Sequence, residues 1–197
     1  IGDRAFGKNA KTVTSLAGEM ARGLMDGGVI PVLKHIPGHG RAICDSHETL
    51  PLVDAAKEDL EKTDFVPFKK LRHLPWGMTA HITYSSIDRK NPATLSKKII
   101  SIIRDEIGFD GLLLTDDLSM KALDGSFAER TTKSIEAGCD IVLHCNGKMD
   151  EMKEIADACP DISEKSKTRL ERSLNLLNHS KEIDFAEAES ELSELVA

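Results

Sequence analysis

A chain of 197 residues, 40% hydrophobic and 30% charged, is long enough to bury a core and has the balance of an ordinary globular domain. Its net charge of −7, with one Trp, one Tyr and six Phe, argues against a nucleic-acid surface, which needs a basic stripe and stacking aromatics. No apolar run approaches the ~20 residues of a membrane span, and no secretory signal pattern opens the chain. A single cytoplasmic domain over residues 1–197 is expected, without a membrane or nucleic-acid partner. The first residue is Ile1 rather than methionine, which fits a trimmed or partial sequence. The cysteines at 44, 139, 145 and 159 form no C-x-x-C pair, so all four are expected to be reduced and structural.

Ile1–Phe6 is polar and irregular, with Arg4 its most notable side chain. Over Ala10–Met25, Val13, Leu16, Ala17, Met20, Ala21 and Leu24 recur at helical spacing, and Gly27-Gly28 supplies a stop. Val29–Leu33 reads as a buried strand, so that a polar cluster begins at Lys34 where the strand ends. Asp54–Lys62 reads as a short charged helix. Thr63-Asp64 would cap a second one carrying Phe65, Val66, Phe68 and Leu71. Gly77–Thr83 is strand-like, with His81 near its end. Ala93–Ser96 leads into a helix through Ile107, with Ile99, Ile102, Ile103 and Ile107 on one face and Gly108 as its stop.

Gly111–Leu114 is the third strand, with Asp116 at its exit. Lys121–Leu123 and Phe127–Ala137 look helical, broken near Gly125. Asp140–Leu143 is the fourth strand, and Met149–Ala158 a helix. Beyond a break at Pro160, a longer helix from Ser163 carries Leu170, Leu174 and Leu177 on one stripe. The segment 182–197 holds six carboxylates and no base, and reads as an acidic tail, either a solvated helix or a frayed end. This order predicts a parallel α/β sheet. A small doubly wound open sheet would be complete at this length, whereas a TIM barrel typically needs ~250 residues and would be present only in part. Length favours the open sheet.

The chemistry concentrates in Lys34–His47, KHIPGHGRAICDSH, which holds three of the seven histidines. Asp45 and His47 stand two apart, a spacing that points both side chains the same way in an extended loop. A carboxylate bonded to one ring nitrogen orients the imidazole and raises its proton affinity. A surface Asx turn beside an exposed histidine would show the same spacing. Asp116 could be a nucleophile, a charge stabiliser or a metal ligand. Thr-Asp-Asp is also a common helix start, but Asp117 fits that role better and leaves Asp116 free. His35, His39, His47, His81 and His144 could gather around a metal. No H-x-H or H-E-x-x-H pattern supports one, so no metal and no cofactor is expected.

KHIPGHGRAICDSH resembles the K-H-[FI]-P-G-H-G…D-S-H signature of glycoside hydrolase family 3, in particular its bacterial β-N-acetylhexosaminidase branch. LLLTDDLSMKAL is similar to that branch's nucleophile segment. IGDRAF, TDFVPFKKL, TAHI, NPATLS and EIGFDGLLLTDD follow in the family's order, so the likeness covers most of residues 1–146. It implies Asp116 as nucleophile and His47 as general acid/base, with Asp45 as its dyad partner. It also implies that Arg4, Lys34 and His35 hold the sugar and that His81 faces the pocket from a strand end.

The implied fold overrides the length argument: a TIM barrel of the (β/α)8 type, represented by its C-terminal half of about four βα units. The implied activity is retaining removal of terminal β-linked N-acetylglucosamine, from peptidoglycan-derived muropeptides, through a covalent glycosyl-aspartate. Half a barrel leaves two unpaired sheet edges, so self-association or a second chain completing the barrel is expected. Two other readings carry over: a metal-dependent hydrolase using the same histidines, and an incomplete barrel with no activity of its own.

Overall fold

The computed structural model describes residues 2–44, 46, 48–179, 181–182 and 184–196. The helices and strands run α1 (Ala10–Asp26), β1 (Val32–Ile36), β2 (Leu52–Val53), α2 (Lys57–Lys62), α3 (Val66–Lys70), β3 (Trp76–Thr79) and β4 (Thr83–Tyr84). They continue with α4 (Lys97–Ser101), β5 (Leu112–Asp117), α5 (Phe127–Ala137), β6 (Ile141–Leu143), α6 (Met149–Ala158), α7 (Glu164–Leu174) and α8 (Phe185–Val196). Among them no helix is long and apolar enough to cross a membrane.

β1, β3, β5 and β6 form one parallel sheet in that spatial order. Each new strand of this sheet joins beside the last, with no reversal, so the sheet has no doubly wound switch point. This is the winding of a barrel segment and overturns the open-sheet expectation drawn from length. β2 and β4 form a separate two-stranded parallel ladder that the sequence did not announce.

The main core joins Leu33, Leu113 and Phe109 to Ile99, Ile103 and Ile107, placing the helix predicted from its isoleucines against the sheet. That helix begins at Ser96, whose side chain accepts from the Ile99 N–H, and widens to a π turn over Ile102–Glu106. Gly111 sits where a Cβ would come within 2.5 Å of the Pro75 carbonyl oxygen, so β5 can approach the preceding turn only as glycine. Leu112, Leu114 and Asp116 alternate onto the face opposite Leu113.

Several expectations need correction. β1 begins at Val32, and Val29 is exposed, because the N–H of Val29 closes the end of α1 on the Leu24 carbonyl at 2.8 Å. Lys34 and His35 therefore lie within β1. Gly77–Thr83 is split into β3 and β4, with His81 between them. Thr63-Asp64 caps no helix: α3 has no side-chain cap, and both residues bind Arg41 instead. Lys121–Leu123 is a turn.

The Leu174 and Leu177 side of the last long helix is exposed, and Ser166, Arg169 and Ser173 are its buried face. The tail forms the helix α8, with Phe185, Leu192 and Leu195 exposed. All four cysteines are free, but only Cys139 is buried, so the structural role holds for that one alone.

Candidate active site

The C-terminal ends of β1, β3 and β5 bring together Lys34, His35, His81 and Asp116. His35 is buried, and its Nε2 lies 3.4 Å from Asp116 Oδ2, within electrostatic reach but beyond normal hydrogen-bond length. Burial drives the His35 pKa down to about 4; the Asp116 charge pulls the other way, while Lys34, His39 and Arg4 add to the depression. His35 is thus neutral at pH 7. Its Nδ1 is buried with no hydrogen-bond partner among the described residues. The peptides Lys34–His35 and Ile36–Pro37 are cis.

Asp116 is the penultimate residue of β5, with its side chain 15% exposed. One of its oxygens accepts the Asp117 N–H at 2.9 Å, and the other faces His35. Asp117 is committed elsewhere: its carboxylate accepts the Ser119 N–H, the Ser119 hydroxyl and the Cys145 N–H at 2.9, 2.6 and 3.1 Å. The helix start expected from Thr-Asp-Asp is absent: Asp117 caps a turn, and Asp116 itself accepts one backbone N–H.

His81 is fully buried between two partners. Its Nε2 donates to the Asp117 carbonyl at 3.0 Å, so its Nδ1 is left to accept from the Thr94 hydroxyl at 2.7 Å. The Thr79 hydroxyl lies 2.8 Å from Thr94 Oγ1 and can donate to it while Thr94 donates to the ring. Burial lowers the His81 pKa against the pull of Asp116 and Asp117, which keeps this ring neutral. Below Asp116, then, stands a fixed neutral histidine rather than a titrating one.

Lys34 is exposed on β1, and its charge acts on both His35 and the Cys145 thiol. Arg4 is exposed at the end of a 3-10 turn, Gly2–Arg4, near enough to weigh on His35. Asp45 and His47 lie outside the described residues. The loop that carries them is described on either side. His39 Nε2 stands 3.4 Å from the buried Ser46 Oγ, and Glu48 pairs with Lys121 at 2.8 Å from the turn after Asp116.

Three features were not legible beforehand. Tyr84 donates its hydroxyl to the Gly38 carbonyl of the Pro-Gly bend. Arg130 donates to the carbonyls of Leu118 and Gly125, holding the turn that follows Asp117. His144 belongs to a rim loop in which it, Asn146 and Lys148 all bind Glu151, at 2.8, 2.6 and 3.1 Å. Only the single Tyr could have drawn attention from the sequence, and its contact spans 46 residues; the Arg130 contacts join side chain to backbone, and those of Glu151 carry no motif. Among the described residues no three His, Cys, Asp or Glu side chains are grouped to hold a metal. The open groove of about 640 Å³ between α4, α5 and α7 lies away from Asp116 and His35.

The description "Glycosyl hydrolase family 3 N terminal domain" matches residues 1–176. A β-hexosaminidase of Alkalilimnicola ehrlichii is 44% identical over 151 residues, 74% of this chain and 43% of that protein. One of Glaesserella parasuis is 34% identical over 192 residues, 95% of this chain and 55% of that protein. The chain thus spans about half the length of the curated relatives it matches.

Among solved structures, a family 3 β-N-acetylglucosaminidase from Paenibacillus sp. superposes with a TM-score of 0.79 at 32% identity, covering 92% of this chain and 38% of that one. NagZ from Neisseria gonorrhoeae, in complex with N-trifluoroacetyl-D-glucosamine, gives a TM-score of 0.78 at 34% identity, covering 90% and 53%. The sequential parallel sheet, the paired strand-end motifs and these likenesses agree, and the chain belongs to glycoside hydrolase family 3, as a segment of its TIM-barrel domain.

Proposed function

We propose that this chain carries the catalytic face of a retaining glycoside hydrolase that removes terminal β-linked N-acetylglucosamine. Asp116 attacks the anomeric carbon as His47 protonates the departing glycosidic oxygen, forming a glycosyl-aspartate. His47 then takes a proton from water, and the hydroxide displaces the carboxylate. Asp45 orients the His47 ring, while Lys34, His35 and Arg4 hold the sugar. His81 serves as a neutral support under the nucleophile. A neutral His35 suits this scheme, since it offers a hydrogen bond to Asp116 or to a sugar hydroxyl without neutralising the attacking charge.

The observation that carries the reading is the state of Asp116: partly exposed at a strand end, with a single hydrogen bond among the described residues and a buried histidine opposite its free oxygen. The test is covalent trapping. A 5-fluoro-N-acetylglucosaminyl fluoride should add one sugar mass to the peptide containing Asp116. A label on another carboxylate, or turnover with no label on Asp116→Ala or wild type alike, would refute it.

The substrate we propose is a peptidoglycan-derived muropeptide in the cytoplasm, which competition between muropeptides and chitin fragments would check. β1 and β6 each have one neighbour among the described residues, and Leu16 and Met20 of α1 are exposed. We propose that further strands close these edges, from a longer chain, a second copy or another protein. A monomer of this chain that hydrolyses β-N-acetylglucosaminides at a normal rate would rule that out.

A further inference from the structure

The loop that follows β1 leaves the main sheet at Pro37 and ends at β2 of the separate two-stranded ladder. Both of its roots are fastened to one short segment. The Thr83 N–H donates to the Pro51 carbonyl at 2.9 Å and the Ser85 N–H to the Val53 carbonyl at 3.1 Å, which ties down the returning end. Between them, the Tyr84 hydroxyl reaches back to the Gly38 carbonyl at the departing end. The Tyr84 ring is fully buried in the main core, so its hydroxyl is aimed by packing rather than by a flexible stem.

Gly38 has no room to move away. Its φ is +149°, and a Cβ there would stand 3.1 Å from the Asp64 Cβ and 3.4 Å from the Asp64 carbonyl oxygen. Arg41, three residues further on, binds Asp64 and Thr63 at 2.7 and 3.1 Å. The departing root is therefore clamped between Tyr84 on one side and Asp64 on the other. Burial raises the Tyr84 pKa above its ordinary value, so the phenol is a donor at neutral pH.

We propose that Tyr84 is a positioning residue: its hydroxyl fixes the origin of the loop that bears Asp45 and His47. This rests on the reading of His47 as the acid. Tyr84 touches neither substrate nor reacting atoms in this scheme; it acts through the Gly38 carbonyl. Loss of one buried hydrogen bond leaves that carbonyl without its donor and frees the root to shift. An acid that must reach a glycosidic oxygen is sensitive to such shifts, because proton transfer requires hydrogen-bond contact in the transition state.

The variant is Tyr84→Phe, which keeps the ring and deletes the hydroxyl, assayed in the enzyme with its barrel complete. On a substrate with a poor leaving group, which needs the proton, kcat should fall about 10- to 100-fold. On a dinitrophenyl glycoside, which does not need it, kcat should change less than about 3-fold, with KM similar for both. Hydrogen exchange supplies a readout independent of activity: amides of residues 39–44 should exchange about 10-fold faster, with β3 and β5 unchanged.

Unchanged exchange would overturn the proposal, as would equal losses on the two substrates. Gly38→Ala displaces the same root from the opposite side and should reproduce the pattern if Tyr84→Phe folds poorly; a Gly38→Ala enzyme with normal kinetics also counts against it. His47→Ala separates this idea from the reading beneath it. If that variant shows no preference between leaving groups, the assignment of the acid fails, while the exchange data still decide whether Tyr84 holds the root.

Discussion

Two aspartates at opposite ends of the same sheet face different demands. Asp140, just before β6, is 3% exposed and accepts four hydrogen bonds: from Arg104, the Leu113 N–H, Ser166 and Arg169, at 2.6, 2.8, 2.6 and 2.9 Å. Arg169 continues to Asp110, which Arg172 also binds. Asp116, at the far end of β5, has one backbone donor and a histidine at 3.4 Å. A saturated carboxylate holds α7 against the sheet and has no lone pair to spare. An undersupplied one keeps an oxygen for something else.

Exchanging each acid for its amide sharpens this contrast most. Asp116→Asn should lower kcat on a chromogenic β-N-acetylglucosaminide by on the order of 10³-fold or more, while the melting temperature holds or rises. Asp140→Asn should do the reverse. It leaves Arg104 buried without its counter-charge and Arg169 with Asp110 alone, and should cost about 3–5 kcal/mol by urea unfolding. If Asp140→Asn is neutral to stability, the lower network is not what fixes α7.

The histidine beside Asp116 offers a pH test. With a folded pKa near 4 against the usual ~6.5, His35 binds its proton in the unfolded chain before the native one. Stability should therefore be fully present above pH 6.5 and fall as pH drops toward 4. His35→Asn should flatten part of that slope in urea titrations at several pH values; an unchanged slope would place the titration elsewhere. The smallest effect belongs to an exposed pair remote from both ends. Lys57→Ala, which removes the 2.8 Å contact with Glu106, should change stability by no more than about 1 kcal/mol.

What could be read in advance followed from how local each signal was. Phe127–Ala137 is bounded by a capping box at Ser126 and Glu129 and a left-handed Gly138, all within the helix's own sequence. Met149–Ala158 likewise matched its prediction. The last long helix did not, because its inward face is chosen by Asp140, 26 and 29 residues away from Ser166 and Arg169. A leucine stripe lost to a buried ion network. The start of β1 was misplaced for a comparable reason: Val29 is apolar, but it serves to finish α1.

At the site, Lys34, His35, His81 and Asp116 gather at one end of the sheet. The network that orients the buried His81 ring is invisible in a one-dimensional reading, because Thr94, and Thr79 behind it, reach it only after folding. The family likeness supplied the barrel; strand order, not chain length, is what agrees with it.

Every polar group of Asp117 is already spoken for. Its N–H serves Asp116, its carbonyl takes the His81 ring and the Met120 N–H, and its carboxylate holds Ser119 and Cys145. Asp116 thus stands on an anvil that cannot turn without surrendering several bonds at once. Any yielding at this strand end must therefore come from the chain opposite, never from beneath.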